Sequence, residues 1–424
     1  MPAISAFDLE LPVLDTDGLD RSEMLTAISD ARAVHWLARS PFGFAFTDYR
    51  DAVAVLRDRR FHSALSLIPQ MQGIDPEGYI MNRRQSILAM EGDEHARLRR
   101  LVAPAFTPTS TDRLRPFMAE VVSELVDAVV DGGRCELVAD ICEPYPIPII
   151  CELLGAPKAD WKLFSQWATD IFRIFNGDLA ADLPAIERAS TELDAYVRAM
   201  VDERRSRPAD DLLSVLIAIE EEGDRLSTDE LVMMAEAVLM AGTDTTRNQL
   251  ACSVALFTEH PEQWALLADH PELAPRAVEE TMRYLGAVRG TVRVASQDIE
   301  YRDVLFPAGT IVSIALAGAN RDATVFAAPD TFDITCERDA VQMTFGSGIH
   351  FCMGAALARA ELQEALPLLA RRLPDLAPDG PVEWKPSSFG IWGPARLPVR
   401  FRPPGAESAA YEATAQAARS RSTP

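Results

Sequence analysis

The stretch Phe345–Arg359, FGSGIHFCMGAALAR, sets one cysteine, Cys352, among three glycines and just ahead of a helical pattern. Glycines admit backbone angles and close approaches that other residues resist. A cysteine beside a helix start also gains from the positive end of the helix dipole, which favours the thiolate. On this stretch alone a glycine-rich turn holding a buried cysteine is the plain alternative. A dinucleotide-binding G-x-G-x-x-G loop fails at Phe351. Cysteine-protease chemistry needs a partnered histidine, and His350 lies only two residues away with no sign of an oxyanion hole. A second stretch, AGTDTTR from Ala241 to Arg247, sets an acid and three threonines where a long helix is expected. These are poor interior helix residues, so the conflict with propensity marks a candidate functional site. Two spacings complete the set: His95 and Arg99, four apart on one helical face, and Glu280 and Arg283, three apart.

Those residues must be carried by elements the sequence also outlines. The longest helix candidate starts at Ser227-Thr228-Asp229-Glu230, which fits a Ser-x-x-Glu capping box. It must stop near Pro261, giving roughly 33 residues or ~50 Å at 1.5 Å rise per residue, with AGTDTTR near its middle. Helical periodicity predicts further helices over Arg113–Val130, Leu183–Arg205, Leu273–Leu285 and Ala355–Leu366. Strand-like runs are fewer: Phe44–Thr47, Thr291–Ala295, Thr310–Ala315 and Leu397–Phe401. The expected class is therefore mainly α with a small β portion.

No linker composition or fixed-period repeat interrupts the body, so one large domain over residues 21–402 is expected. Residues 1–20 read as a poorly ordered extension and 403–424 as a disordered tail. The 424 residues are 48% hydrophobic and 25% charged, ordinary for a globular protein. A formal net charge of -23 argues against a general nucleic-acid or anionic-membrane surface. No apolar run is long enough to span a bilayer, and the N-terminus lacks a secretory pattern, so a cytoplasmic location is expected. The six cysteines show no C-x-x-C pair, which disfavours a zinc site or disulfide scaffold.

Phe345-Gly346-x-Gly348-x-His350-x-Cys352-x-Gly354, with Leu357-Ala358-Arg359 after it, resembles the haem-binding signature of the cytochrome P-450 family. Glu280-Thr281-Met282-Arg283 resembles its E-x-x-R motif. Ala241–Thr246 resembles its oxygen-activation motif, and His95-Ala96-Arg97-Leu98-Arg99 its H-x-x-x-R pair. The likeness covers roughly residues 20–402 and is closest to soluble bacterial members.

The resemblance implies a cytochrome P-450 fold holding haem b (iron protoporphyrin IX), with Cys352 as the iron ligand. Phe345, Gly346, Gly354 and Ala241 would line the cofactor, and His95, Arg99, Arg293 and His350 would meet its propionates. Asp244 and Thr245 would be the catalytic acid–alcohol pair. Ala241 and Gly242 would leave room for dioxygen. Glu280 and Arg283 would form a buried structural pair. An arginine usually completes that pair, but here Cys336 stands in its place, with Arg338 a substitute two residues on.

The implied activity is monooxygenation, one atom of O2 entering a hydrophobic small molecule by hydroxylation, demethylation or epoxidation. The chain carries no flavin, nicotinamide or iron–sulfur motif, so a ferredoxin and an NAD(P)H-dependent ferredoxin reductase are the implied electron donors. Arg97, Arg100 and Arg359 are candidates for a local basic patch that an acidic ferredoxin would meet. The pocket is expected around Leu65–Met71, Ile87–Met90, Phe172–Phe175, Val238, Ala241, Ala287, Val288 and Phe389–Trp392, including Ile391. Arg289 follows as a possible partner for a substrate carboxylate. Rival readings are a peroxide-driven haem-thiolate peroxygenase or decarboxylase, and a non-catalytic haem sensor.

Overall fold

Ser227 and Glu230 close the expected capping box. The Ser227 hydroxyl accepts from the Glu230 amide at 3.2 Å, and the Glu230 carboxylate accepts from the Ser227 amide at 2.8 Å. From this start the central helix runs Thr228–Glu259, 32 residues in all, and the next helix begins at Pro261. At 1.5 Å per residue it is ~48 Å long. Between Leu231 and Phe257 only Glu236, Ala237, Ala241, Gly242 and Thr245 are not buried. Packing on nearly every side therefore holds a segment that propensity alone would not.

The threonines of this segment turn back on their own helix. Thr243 donates to the Leu239 carbonyl at 2.7 Å and Thr245 to the Ala241 carbonyl at 2.9 Å, the usual recourse of a mid-helix hydroxyl. Gly242 also has a packing role. A Cβ there would sit 2.8 Å from Ile150 Cδ1 and Cγ1, so this glycine serves a close crossing with helix Pro146–Leu154.

The computed structural model describes residues 3–71, 73–74, 86–175, 179–222, 226–386 and 390–406. Against the central helix pack Pro146–Leu154, Trp161–Ile171, Leu179–Ser206, Ala274–Tyr284 and Ala355–Arg372. The large apolar core runs through them as one cluster. No described helix is long and apolar enough to cross a membrane.

The β portion sits to one side. Its largest sheet has five strands in the order Leu37–Ser40, Gly43–Phe46, Ile311–Ile314, Thr291–Ala295, Phe61–Ser63. Gly43–Phe46 and Ile311–Ile314 pair in parallel and the rest antiparallel. Register sets Arg293 between Ser63 and Val312. A second apolar cluster, rich in Phe44, Phe46, Phe61 and Phe306, packs against this sheet.

Residues 3–20 are not a loose extension. Ile4–Ser5 forms a strand parallel to Val304–Leu305, and Ala6 is fully buried. Arg39 donates to the carbonyls of Phe7 and Leu9 at 3.2 Å each, and Leu14 is buried. Pairing with residues 304–305 and burial of Ala6 and Leu14 hold it, and those partners lie far along the chain. Of the tail, residues 407–424 lie outside the described residues.

Candidate active site

The loop bearing Cys352 is built by backbone bonds that close on themselves. The Gly346 amide donates to the Met343 carbonyl at 2.7 Å, and the Cys352 amide returns to the Phe345 carbonyl at 3.0 Å. Gly346 and Gly348 hold φ of 69° and 74°, the left-handed region that glycine tolerates. At Gly348 a Cβ would also be driven into the Leu56 carbonyl. Helix Ala355–Arg372 starts directly after Gly354. Cys352 is exposed, and its sulfur receives the Gly354 amide. Burial of the surroundings pushes its thiol up, while that amide, Arg99 and Arg359 pull it down. Phe345 is buried against Phe351, and the Arg359 guanidinium lies over its ring at 4.5 Å.

Beside this loop four basic groups converge. His95 is buried, with its ring centroid 4.6 Å from that of His350. Desolvation holds His95 below its ordinary value, with His350 and Arg99 adding to the effect. Arg99, from the same helix, donates to the Phe351 carbonyl next to Cys352. Arg293 is buried in the sheet and donates to Thr291 Oγ1 at 3.0 Å and the Val292 carbonyl at 2.8 Å. Burial pushes its guanidinium down to about 10.

One carboxylate that sequence reasoning missed belongs to this group. Glu91 accepts from His350 Nε2 at 2.9 Å and from the Ser63 amide. Burial would raise it, but the His350 and Ser63 bonds outweigh this and lower it. Its position one helical turn before His95 was the available signal. Four basic side chains against one carboxylate, beside an amide-bonded and accessible thiol, fit an iron-ligating group that carries two carboxylates. Such a group would be costly to bury without partners of this kind.

The acid of the helix segment is not aimed alongside Thr245. Arg247 Nε donates to Asp244 Oδ1 at 2.7 Å, and Lys385 Nζ lies 3.9 Å from the same oxygen. Asp244 is itself buried. Arg247 Nη1 donates to Ser165 Oγ at 3.3 Å and stands 3.7 Å from Glu143 Oε1, while Nη2 donates to Thr169 Oγ1 at 3.0 Å. Arg247 stood in the quoted segment, three residues from the acid, yet its role went unread. Ala237, Ala241 and Thr245, four apart, form the accessible stripe of the central helix.

A further buried acid also escaped the sequence reading. Glu361, on the helix that follows Cys352, accepts from Thr246 Oγ1 at 3.2 Å. Its other oxygen has no partner among the described residues. Burial pushes it well above the ordinary carboxyl value.

The structural pair is buried and has its third member. Arg283 Nε and Nη2 each donate to Glu280 at 2.8 Å, and Arg338 Nε and Nη2 do the same. Cys336 takes no part in the network; its sulfur faces the Glu337 carbonyl.

Part of the expected pocket is joined by backbone bonds near Trp392. Val238 and Ala287 are buried, Val288 bridges Ile391, and the Trp392 amide donates to the Ala287 carbonyl at 2.8 Å. The Arg289 guanidinium lies 4.6 Å over Trp392, which stacks on Trp384 at 4.4 Å. Ile68 from the 65–71 segment meets Ile174 from the 172–175 segment. Phe389 lies outside the described residues. Below Cys352 a recess of about 460 Å³ is lined by Arg99, Arg115, Phe351, Met353 and Arg359.

The family model described as Cytochrome P450 matches residues 157–374. The chain is 35% identical to Luteothin monooxygenase from Streptomyces thioluteus, over 92% of this chain and 96% of that one. It is 36% identical to Mycinamicin IV hydroxylase/epoxidase from Micromonospora griseorubida, over 92% and 97%. Among solved structures, CalO2 superposes with a TM-score of 0.85 at 29% identity, covering 92% of this chain and 98% of that one.

Proposed function

Since the chain belongs to the cytochrome P450 family and is a monooxygenase, we propose that it binds haem b through Cys352 and oxygenates a hydrophobic small molecule. The observation that carries this is the accessible, amide-bonded Cys352 sulfur beside the cradle of His95, Arg99, Arg293 and His350. Haem, when bound, supplies the reduction and splitting of dioxygen.

The residues of the chain do the rest. Cys352 donates electron density as thiolate, and the Gly354 amide tempers the charge on sulfur. The four bases hold the cofactor's carboxylates. Thr245 steadies oxygen from the accessible stripe, and Asp244 supplies protons. Val238, Ala241, Ala287, Val288 and Ile391 offer substrate an apolar wall, as such sites generally do. Arg289 lies over Trp392 and keeps its charge there, so it is the one cation of this wall available to a substrate carboxylate.

Electrons come from a ferredoxin and its NAD(P)H-dependent reductase, docking over the recess beneath Cys352. The first test is spectroscopic. The reduced carbon monoxide complex gives the thiolate-type Soret band, and Cys352→Ser abolishes it while the fold persists. A wild-type complex lacking that band overturns the reading. A screen for spectral shifts across an apolar compound library then identifies the substrate.

A further inference from the structure

Four basic side chains crowd beside the Cys352 loop, and three separate elements bring them there. His95 and Arg99 stand on helix Gly92–Val102, and His350 ends the turn Gly348–His350. Arg293 lies on strand Thr291–Ala295, paired in register with Ser63 at the end of the edge strand Phe61–Ser63. Glu91 is the residue at which the three meet. It opens the helix, and its Oε1 accepts from both the Ser63 amide and His350 Nε2, the latter at 2.9 Å. Those partners stand 28 and 259 residues away along the chain.

Glu91 makes these bonds instead of serving its own helix. The residue ahead of a helix ordinarily turns a short side-chain oxygen back onto the first amides, as Asp, Asn and Ser do best. The Glu91 side chain makes no such bond, and Asp93 and Glu94 already put negative charge in the first turn. The needs of the helix therefore do not account for a glutamate. Reach does: the longer side chain spans from the helix start to His350.

Crowding gives that reach a use. The His95 and His350 rings lie 4.6 Å apart, and Arg99 adds a fixed positive charge beside His95. Glu91 opposes this build-up, acting on His95 and Arg293 against their burial. A cradle already assembled binds a ligand with less loss of freedom than one the ligand must gather. We propose that Glu91 is a positioning residue: anchored by the Ser63 amide, it holds His350 in the cradle that His95, Arg99 and Arg293 complete, and so slows loss of the cofactor. The inference rests on the reading of Cys352 as the haem ligand.

Glu91→Asp keeps the charge, caps the helix well and is one methylene too short for the reach. Haem-loaded wild type, Glu91→Asp, Glu91→Gln, His350→Ala and the Asp/Ala double variant are each mixed with excess apomyoglobin, and haem transfer is followed by absorbance. Glu91→Asp loses haem about ten- to a hundredfold faster than wild type, the range for groups that orient a ligand from behind. Glu91→Gln keeps the accepting oxygen and lies between. Because Glu91 acts through His350, the double variant loses haem no faster than His350→Ala. The reduced carbon monoxide complex of Glu91→Asp keeps the thiolate-type Soret band, and its far-UV circular dichroism matches wild type.

A Glu91→Asp variant that keeps haem as long as wild type overturns the proposal. So does a loss that adds in full to that of His350→Ala, which would make Glu91 a prop of the helix instead. A thiolate band lost in Glu91→Asp alone overturns it too, since the damage would then lie at the Cys352 loop. If wild type itself lacks that band, the haem-thiolate reading falls first and takes this one with it. Should Glu91→Asp not fold, Glu91→Ser, also a good cap and too short to reach His350, carries the same comparison.

Discussion

Glu280 and Glu361 are both buried carboxyls, and the chain treats them oppositely. Glu280 receives two bidentate arginines, which outweigh its burial and lower it. Glu361 receives one threonine hydroxyl, so burial pushes it well up. The folded protein therefore keeps a proton on Glu361 that the unfolded chain releases near 4.5. Between those two points the native state binds more protons than the unfolded state, and stability falls as pH rises. The slope is about 1.4 kcal/mol per pH unit for one group. Glu361→Gln keeps the shape and removes the titration. Its unfolding free energy matches wild type near pH 4 and exceeds it progressively above that, as urea titrations from pH 4 to 8 would measure. Parallel curves would mean that Glu361 ionises in the fold.

At the scale of elements, the loop before the cysteine is pinned to helix Ala274–Tyr284 by Arg338. Its two bonds to Glu280 and a third to the Ala327 carbonyl at 2.8 Å fix residues 327–338 against that helix. Arg338→Ala leaves Glu280 with Arg283 and the Asp333 amide and costs about 1.5–3 kcal/mol, the range for bonds to a charged group. Cys336→Ala stays within about 0.5 kcal/mol. Urea midpoints at neutral pH separate the two, and equal losses would show that position 336 shares the network. The ends of the central helix were legible because Ser227, Glu230 and Pro261 act within a turn or two of the boundary they set. Strand Thr291–Ala295 was legible from its β-branched alternation. Glu91 and Glu361 were not, because their partners His350 and Thr246 are 259 and 115 residues away. The packing role of Gly242 was hidden for the same reason. Its small size was plain, but which neighbour it admits depends on where Ile150 arrives.

For the molecule as a whole the question is how a chain of net charge -23 would accept the acidic electron donor proposed for it. Around the recess below Cys352, most of the positive charge is already answered. Arg359 is held by Glu279, and Arg115 by Asp112 and Glu364. Arg97, expected in the patch, is turned to Glu230 at the start of the central helix. Arg100 differs: it is exposed, one residue from Arg99, and donates to the Ala96 carbonyl of its own helix. Steering toward this face therefore depends more on Arg100 than on the arginines that line the recess. Arg100→Glu slows the second-order reduction by an acidic ferredoxin at low salt, and Arg115→Gln slows it less. Both differences shrink above ~0.15 M ionic strength, where the Debye length is ~8 Å. Stopped-flow reduction rates against salt concentration measure this directly. A larger loss in Arg115→Gln would move the docking centre to the recess itself. Rates indifferent to both substitutions and to salt would mean that the donor docks by apolar contact with Phe351 and Met353 instead.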